Sequence, residues 1–170
     1  MLTRTSLVVA VLMSATVALS AARGGEEIWP RGLQRVCEKA AQPWNLVQDA
    51  RPAADIVLAG TCRDDELVRN AAEWITAFVR RSTGASIAIG GEPLSSSGKR
   101  HLLAVVGEHP LLSRLAAAKK IDLDPRVGGQ GFVIQQATDP QQGDLLICWS
   151  PTPLGCRYGL VEILRSLDAR

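Results

Sequence analysis

Residues 131–167 read GFVIQQATDPQQGDLLICWSPTPLGCRYGLVEILRSL, and this stretch decides the fold. The apolar, β-branched start predicts a strand over residues 132–135, a polar turn, and a second strand over 145–149. Pro151, Pro153 and Gly155 read as a loop, after which an amphipathic helix is expected from about Tyr158. Gly155 would allow a positive φ or a close backbone approach where the chain reverses. Gly159 would let the helix pack tightly on the sheet, and Tyr158 would bury its ring while its hydroxyl finds a backbone partner.

Working back towards the N-terminus, the same two signals recur. Asp55 to Ala59 is a short apolar run ended by Gly60, which favours a buried strand. Thr61 with Asp64 makes a near capping box, and Asp64, Asp65 and Glu66 place negative charge where a helix N-terminus would gain from it. Leu67, Ala71, Trp74, Ile75 and Phe78 recur at helical steps and predict the buried face of a long helix, with Gly84 at its C-terminal cap. Strands follow at 86–89 and 101–106, separated by a Gly/Ser/Pro-rich loop. Pro110 suits the first turn of a short helix over 111–119. Gly129-Gln130-Gly131 precedes a strand instead of opening a helix, which argues against a phosphate-binding loop.

The expected fold class is therefore α+β: a mixed β-sheet with two long helices on one face, in the order β-α-β-β-(short α)-β-β-α. The runs Leu102 to Val106 and Leu145 to Cys148 have no polar break, so both faces of the sheet should be buried. Leu67, Ala71, Trp74 and Phe78, with Val161, Leu164 and Leu167, are expected to cover one face. The other would meet the segment around Trp29 to Trp44, a second copy of the chain, or a partner domain.

The first 22 residues look like a signal peptide. Arg4 supplies the positive charge, residues 7–19 an apolar run, and Ser20, Ala21 and Ala22 a small-residue cleavage site. The run falls short of the ~20 apolar residues of a comfortable membrane span. The chain is thus expected to be secreted or periplasmic, with no membrane contact after cleavage. Residues 23–53 read as an N-terminal extension and 54–170 as the domain proper.

Whole-chain charge is 19 basic against 17 acidic residues, and loss of Arg4 leaves a net charge near +1. That balance gives no reason to expect nucleic acid as a partner. The four cysteines, Cys37, Cys62, Cys148 and Cys156, include no C-x-x-C spacing, and His101 and His109 lack metal-ligand spacing, so neither metal nor cofactor is expected. In an exported chain the cysteines could form two bridges. Cys62 and Cys156 each follow a strand and precede a long helix of the same face, which makes them the leading pair. Such a bridge would stabilise the domain by about 4 kcal/mol in the chain-entropy account.

Three blocks then carry a resemblance. They are Ala71-Ala72-Glu73-Trp74 through Ser82-Thr83-Gly84-Ala85, the strand start Gly131-Phe132-Val133-Ile134, and Pro153-Leu154-Gly155-Cys156-Arg157-Tyr158-Gly159-Leu160. In order and spacing they resemble the non-catalytic N-terminal accessory domain of α-glucuronidases and bacterial-type β-N-acetylhexosaminidases, over roughly two thirds of the chain. The resemblance implies structural importance for Thr83, Gly84, Gly131, Phe132, Gly155, Tyr158 and Gly159. It also implies a partner, the catalytic barrel that carries the family's acids. After the last helix only Asp168, Ala169 and Arg170 remain.

The expectation is thus an exported accessory domain linked to breakdown of xylan or amino-sugar glycans, not an enzyme by itself. Any parent enzyme would be a glycosidase. Glycoside hydrolysis needs two positioned carboxyl groups, and the acidic clusters here sit at a helix start or in loops. Glu108-His109 is the one adjacent acid–base pair. The alternative is a free-standing secreted module binding a glycan or a protein, with the uncovered sheet face or the Trp149 region as its surface. Trp74 and Phe78 could stack a ligand, but their spacing favours core packing.

Overall fold

The computed structural model describes residues 44–94, 100–124 and 126–168. Two-residue strands β1 (Val47–Gln48) and β2 (Arg51–Pro52) pair antiparallel ahead of β3 (Ala54–Ala59). A 3₁₀ turn over Gly60–Arg63 leads into α1 (Glu66–Thr83), then β4 (Ile89–Gly91) and β5 (Arg100–Val106). Next come α2 (Pro110–Ala117), β6 (Val133–Asp139), β7 (Gly143–Ser150) and α3 (Pro153–Asp168). The main sheet has the order β4-β3-β5-β7-β6, parallel throughout except for the antiparallel edge strand β6. The fold is α+β with a mixed sheet, and its long helices α1 and α3 pack side by side on one face.

Side chains alternate across the sheet as the pleat demands. Ile56, Leu58, Leu102, Ala104, Leu146 and Cys148 face α1 and α3 in one buried cluster. Val57, Ala59, Leu103, Val105, Leu145 and Ile147 face the other way, into a second cluster with Leu111, Leu112 and Leu115 of α2 and with Ile121. The second face is thus covered by the chain's own short helix. The sequence reading places the segment around Trp29 to Trp44, a second copy or a partner domain on this face; α2 is a cover it does not consider. Connections that move in opposite directions along a sheet put their helices on opposite faces when both crossovers are right-handed. The chain moves one way from β3 to β4 and the other way from β5 to β7, and α2 accordingly lies opposite α1.

Several boundaries differ from the sequence reading. The buried stripe of α1 is Val68, Ala71, Ala72, Ile75 and Val79, whereas Leu67 and Trp74 face outward. Ala71 and Ala72 belong to the same buried cluster as Cys156, Leu160 and Ile163 of α3, against which α1 packs. Its N-cap is Asp65, whose carboxylate accepts from the Val68 N–H at 3.0 Å; Thr61 lies in the 3₁₀ turn. Gly84 does cap the other end, with φ 77° and its N–H on the Arg80 carbonyl. Pairing of β4 begins only at Ile89, opposite Ile56. β6 runs on through Asp139, because polar Gln136 and Thr138 are tolerated on an edge strand.

The last helix starts five residues before the expected Tyr158. Pro153 occupies its first turn, where a missing N–H costs nothing, and the Thr152 hydroxyl accepts from the Gly155 N–H at 3.2 Å. The Pro/Gly segment is therefore a helix start and not a loop. Trp44, Leu46 and Val47, read as the end of an extension, belong to the core. The signal peptide, most of the 23–53 extension and Cys37 lie outside the described residues.

Candidate functional site

Gly131, Phe132, Gly155 and Gly159 converge around the end of β7. The Ser150 hydroxyl is fully buried and donates to the Gly131 carbonyl at 2.7 Å. Gly155 sits directly over that pair: a Cβ there would overlap both Ser150 Oγ and Gly131 O. One turn later, a Cβ on Gly159 would overlap Cys148 Sγ and press on the Phe132 ring. Two glycines thus let α3 approach β7 and the 131–132 segment at backbone contact distance. Thr83 lies elsewhere, at the end of α1, where its hydroxyl donates to Val79 O and accepts from the Ala85 N–H. Tyr158 departs from the expectation of a buried ring, being 40 % exposed on the outer side of α3.

The cysteine expectation is corrected in one respect. Cys62 in the 3₁₀ turn and Cys156 in the first turn of α3 do meet, with sulphurs 3.9 Å apart, but they are thiols in contact and not a disulfide. Cys148 lies beside them, its thiol donating to the Cys156 carbonyl at 3.6 Å. All three are completely buried. The hydrogen bond with Cys156, followed by burial, pushes the Cys62 thiol far above its ordinary value of 9.0. Contact with Cys148, reinforced by burial, raises Cys156 likewise.

These thiols are held protonated by the fold, whereas in the unfolded chain they would ionise near pH 9. The linked stability is therefore complete below pH 9 and is lost as pH rises beyond it. Iodoacetamide at pH 8 should leave Cys62 and Cys156 unmodified in the folded protein and label both after denaturation, as read by peptide mass spectrometry. Rapid labelling of the native protein would contradict this burial.

No acid–base machinery assembles among the described residues. His109 does not pair with the exposed Glu108; its Nε2 meets Glu92 Oε1 at 2.7 Å. Its Nδ1 accepts from the Leu111 N–H as the cap of α2, so Nε2–H is the donor to Glu92 and both ring nitrogens are engaged. Asp139 is the deeply buried acid, and its task is structural. Burial opposes its charge, but the Arg114 guanidinium at 2.9 Å and the Gln141 and Gln142 N–H groups prevail and hold the carboxyl below its usual range. Asp124 is likewise held low by its hydrogen bonds to Arg126. The described residues contain no group of three His, Cys, Asp or Glu that could hold a metal ion.

What sequence reasoning missed is an apolar surface. The large hydrophobic side chains exposed among the described residues are Leu67 (44 %), Trp74 (48 %) and Tyr158 (40 %), all on the outward side of the α1–α3 layer. The Arg157 guanidinium lies 5.8 Å from the Trp74 ring centroid, and Arg81 lies 5.8 Å from that of Phe78. Cations over these rings are a favourable but exposed arrangement. The signal was present in the sequence: two apolar stripes, one through Leu67 and Trp74 and one through Val68, Ile75 and Val79, share the helix. Comparison with protein-family models and with curated proteins gave no match to this chain.

Proposed function

We propose that this chain is a non-catalytic accessory domain of glycoside-hydrolase type, which docks on a catalytic glycosidase domain through the outer face of α1 and α3. The observation that carries this reading is the exposure of Leu67 and Trp74 on α1 and of Tyr158 on α3, two helices that pack side by side. Large apolar side chains exposed on adjoining helices fit an interaction surface. Tryptophan, tyrosine and arginine are also the residue types most often found at interface centres, and Arg157 lies among them. The sheet face first considered for docking packs against α2, which favours the helical layer in this reading. Two of the three sequence blocks add support from the resemblance, since Gly131, Phe132, Gly155 and Gly159 meet at one junction.

The proposal is tested by calorimetric titration against the catalytic domain of an α-glucuronidase or β-N-acetylhexosaminidase from the same organism. Trp74→Ala with Tyr158→Ala should weaken binding at least about 30-fold, which corresponds to about 2 kcal/mol. Both side chains are partly exposed, so circular dichroism should be unchanged. Absence of binding by the parent protein, or equal binding by the double variant, would remove the basis of the reading.

Export is part of the proposal, supported by Arg4, the apolar run over residues 7–19 and the small residues at 20–22. N-terminal sequencing of the mature protein should begin just after Ala22. An intact Met1 on soluble protein would contradict it. Among the described residues no helix is long and apolar enough to cross a membrane.

A further inference from the structure

A groove of about 590 Å³ runs between the second half of α1 and the segment leading into β4, lined by Thr76, Ala77, Arg80, Arg81, Ser86 and Ile87. Thr76 spends its hydroxyl donor on the Glu73 carbonyl at 2.9 Å, so the charged groups of the groove are the two guanidiniums. Neither makes an ion pair or a hydrogen bond with any of the described residues. Their place in the last turn of α1 suits the helix dipole, but that interaction occupies none of their N–H groups.

The groove adjoins the outer helical face. Trp74 and Phe78 are one turn apart on α1. Arg81 stands 5.8 Å from the Phe78 ring centroid, and Arg157 of α3 stands 5.8 Å from that of Trp74. A guanidinium attracted to a ring face spends no N–H on it. Over residues 71–83 the only carboxylate is that of Glu73, and on α3 Glu162 already has Arg165 at 3.7 Å. Three guanidiniums, those of Arg80, Arg81 and Arg157, thus stand against one carboxylate, an excess of two positive charges beside the exposed Trp74.

We infer that the docking partner presents an acidic surface here: its carboxylates enter the groove and pair with Arg80 and Arg81, and another meets Arg157 beside Trp74. This rests on the docking reading and names the chemistry of the partner. Charge complementarity chooses the occupant, since a guanidinium holds a carboxylate through two parallel N–H donors. A nucleic acid is bound by neutralising many phosphates at once. Three cations broken up by Ala77, Phe78, Trp74 and Glu73 suit a mixed apolar and acidic protein surface better.

The test is titration of the full chain with the glycosidase catalytic domain at about 50 mM and about 500 mM salt. Binding should weaken about tenfold at the higher salt, because charges at an interface rim act through a screened attraction. Arg80→Gln with Arg81→Gln should raise Kd about tenfold at low salt and remove most of the salt dependence. Arg81→Gln alone should raise it about threefold, whereas Lys119→Gln, the same loss of charge just after α2, should leave it unaltered. All three side chains are exposed, so circular dichroism should not change. A second measurement does without the catalytic domain: at low salt, polyglutamate should shift the Ser86 and Ile87 amide resonances and polylysine should not. Binding of the catalytic domain that is indifferent to salt and to the arginine variants overturns this inference and leaves the docking reading standing. No binding at either salt, with a polyglutamate shift, removes the glycosidase as partner and keeps an acidic one. No binding and no shift removes both, and an oligonucleotide that binds more tightly than polyglutamate also overturns the inference.

Discussion

Gly155→Ala is expected to destabilise the domain by about 3 kcal/mol, against the usual sign for a glycine inside a helix. Helix propensity alone would make alanine better by about 1 kcal/mol. At this position, however, the new Cβ would overlap Ser150 Oγ and the Gly131 carbonyl oxygen, and the latter is backbone. Neither can withdraw cheaply, because the two are hydrogen-bonded to each other in a buried site at 2.7 Å. α3 would have to lift from β7, loosening Cys156, Leu160 and Ile163 in the core. Overpacking of this kind costs about 1–3 kcal/mol or somewhat more, and for a domain of this size 3 kcal/mol lowers Tm by roughly 10 °C. Gly128→Ala is the control, since a Cβ there meets nothing within 4 Å. A Gly155→Ala variant as stable as the parent would mean that α3 does not lie where the structure puts it.

The second large effect concerns the covered face of the sheet. Leu103 is fully buried and belongs to the cluster that α2 closes. Leu103→Ala should cost about 2–5 kcal/mol, the range for deleting a buried leucine side chain. Leu103→Asp should prevent folding, because it would bury a carboxylate with no partner. Chemical denaturation of the isolated chain measures both. A near-neutral Leu103→Ala would mean that this face is open in the free protein and waits for a partner.

These two cases show what could be read from the residues and what could not. The order of strands and helices was legible because β-branched runs, Gly84 and the helical spacing of apolar residues are local signals. The cover supplied by α2 was not, since its side follows from the strand order β4-β3-β5-β7-β6, and that order is fixed by long-range pairing. Trp74 was misplaced for a related reason. α1 carries two apolar stripes, and which one is buried is decided by packing against the sheet and α3, not by spacing within the helix. The meeting of Cys62 and Cys156 could be inferred from two parallel strands feeding helices of one face. Whether the sulphurs bond is a matter of redox chemistry as well as of distance.

The central claim, that the outer α1–α3 layer is the partner surface, is tested most directly by amide hydrogen exchange. The protein would be labelled alone and with the glycosidase catalytic domain. The account predicts slowed exchange in peptides covering residues 66–83 and 153–167, with no change over 110–123 or in the edge strand 133–139. Protection confined to α2 or to β6, with α1 and α3 unaffected, would contradict it.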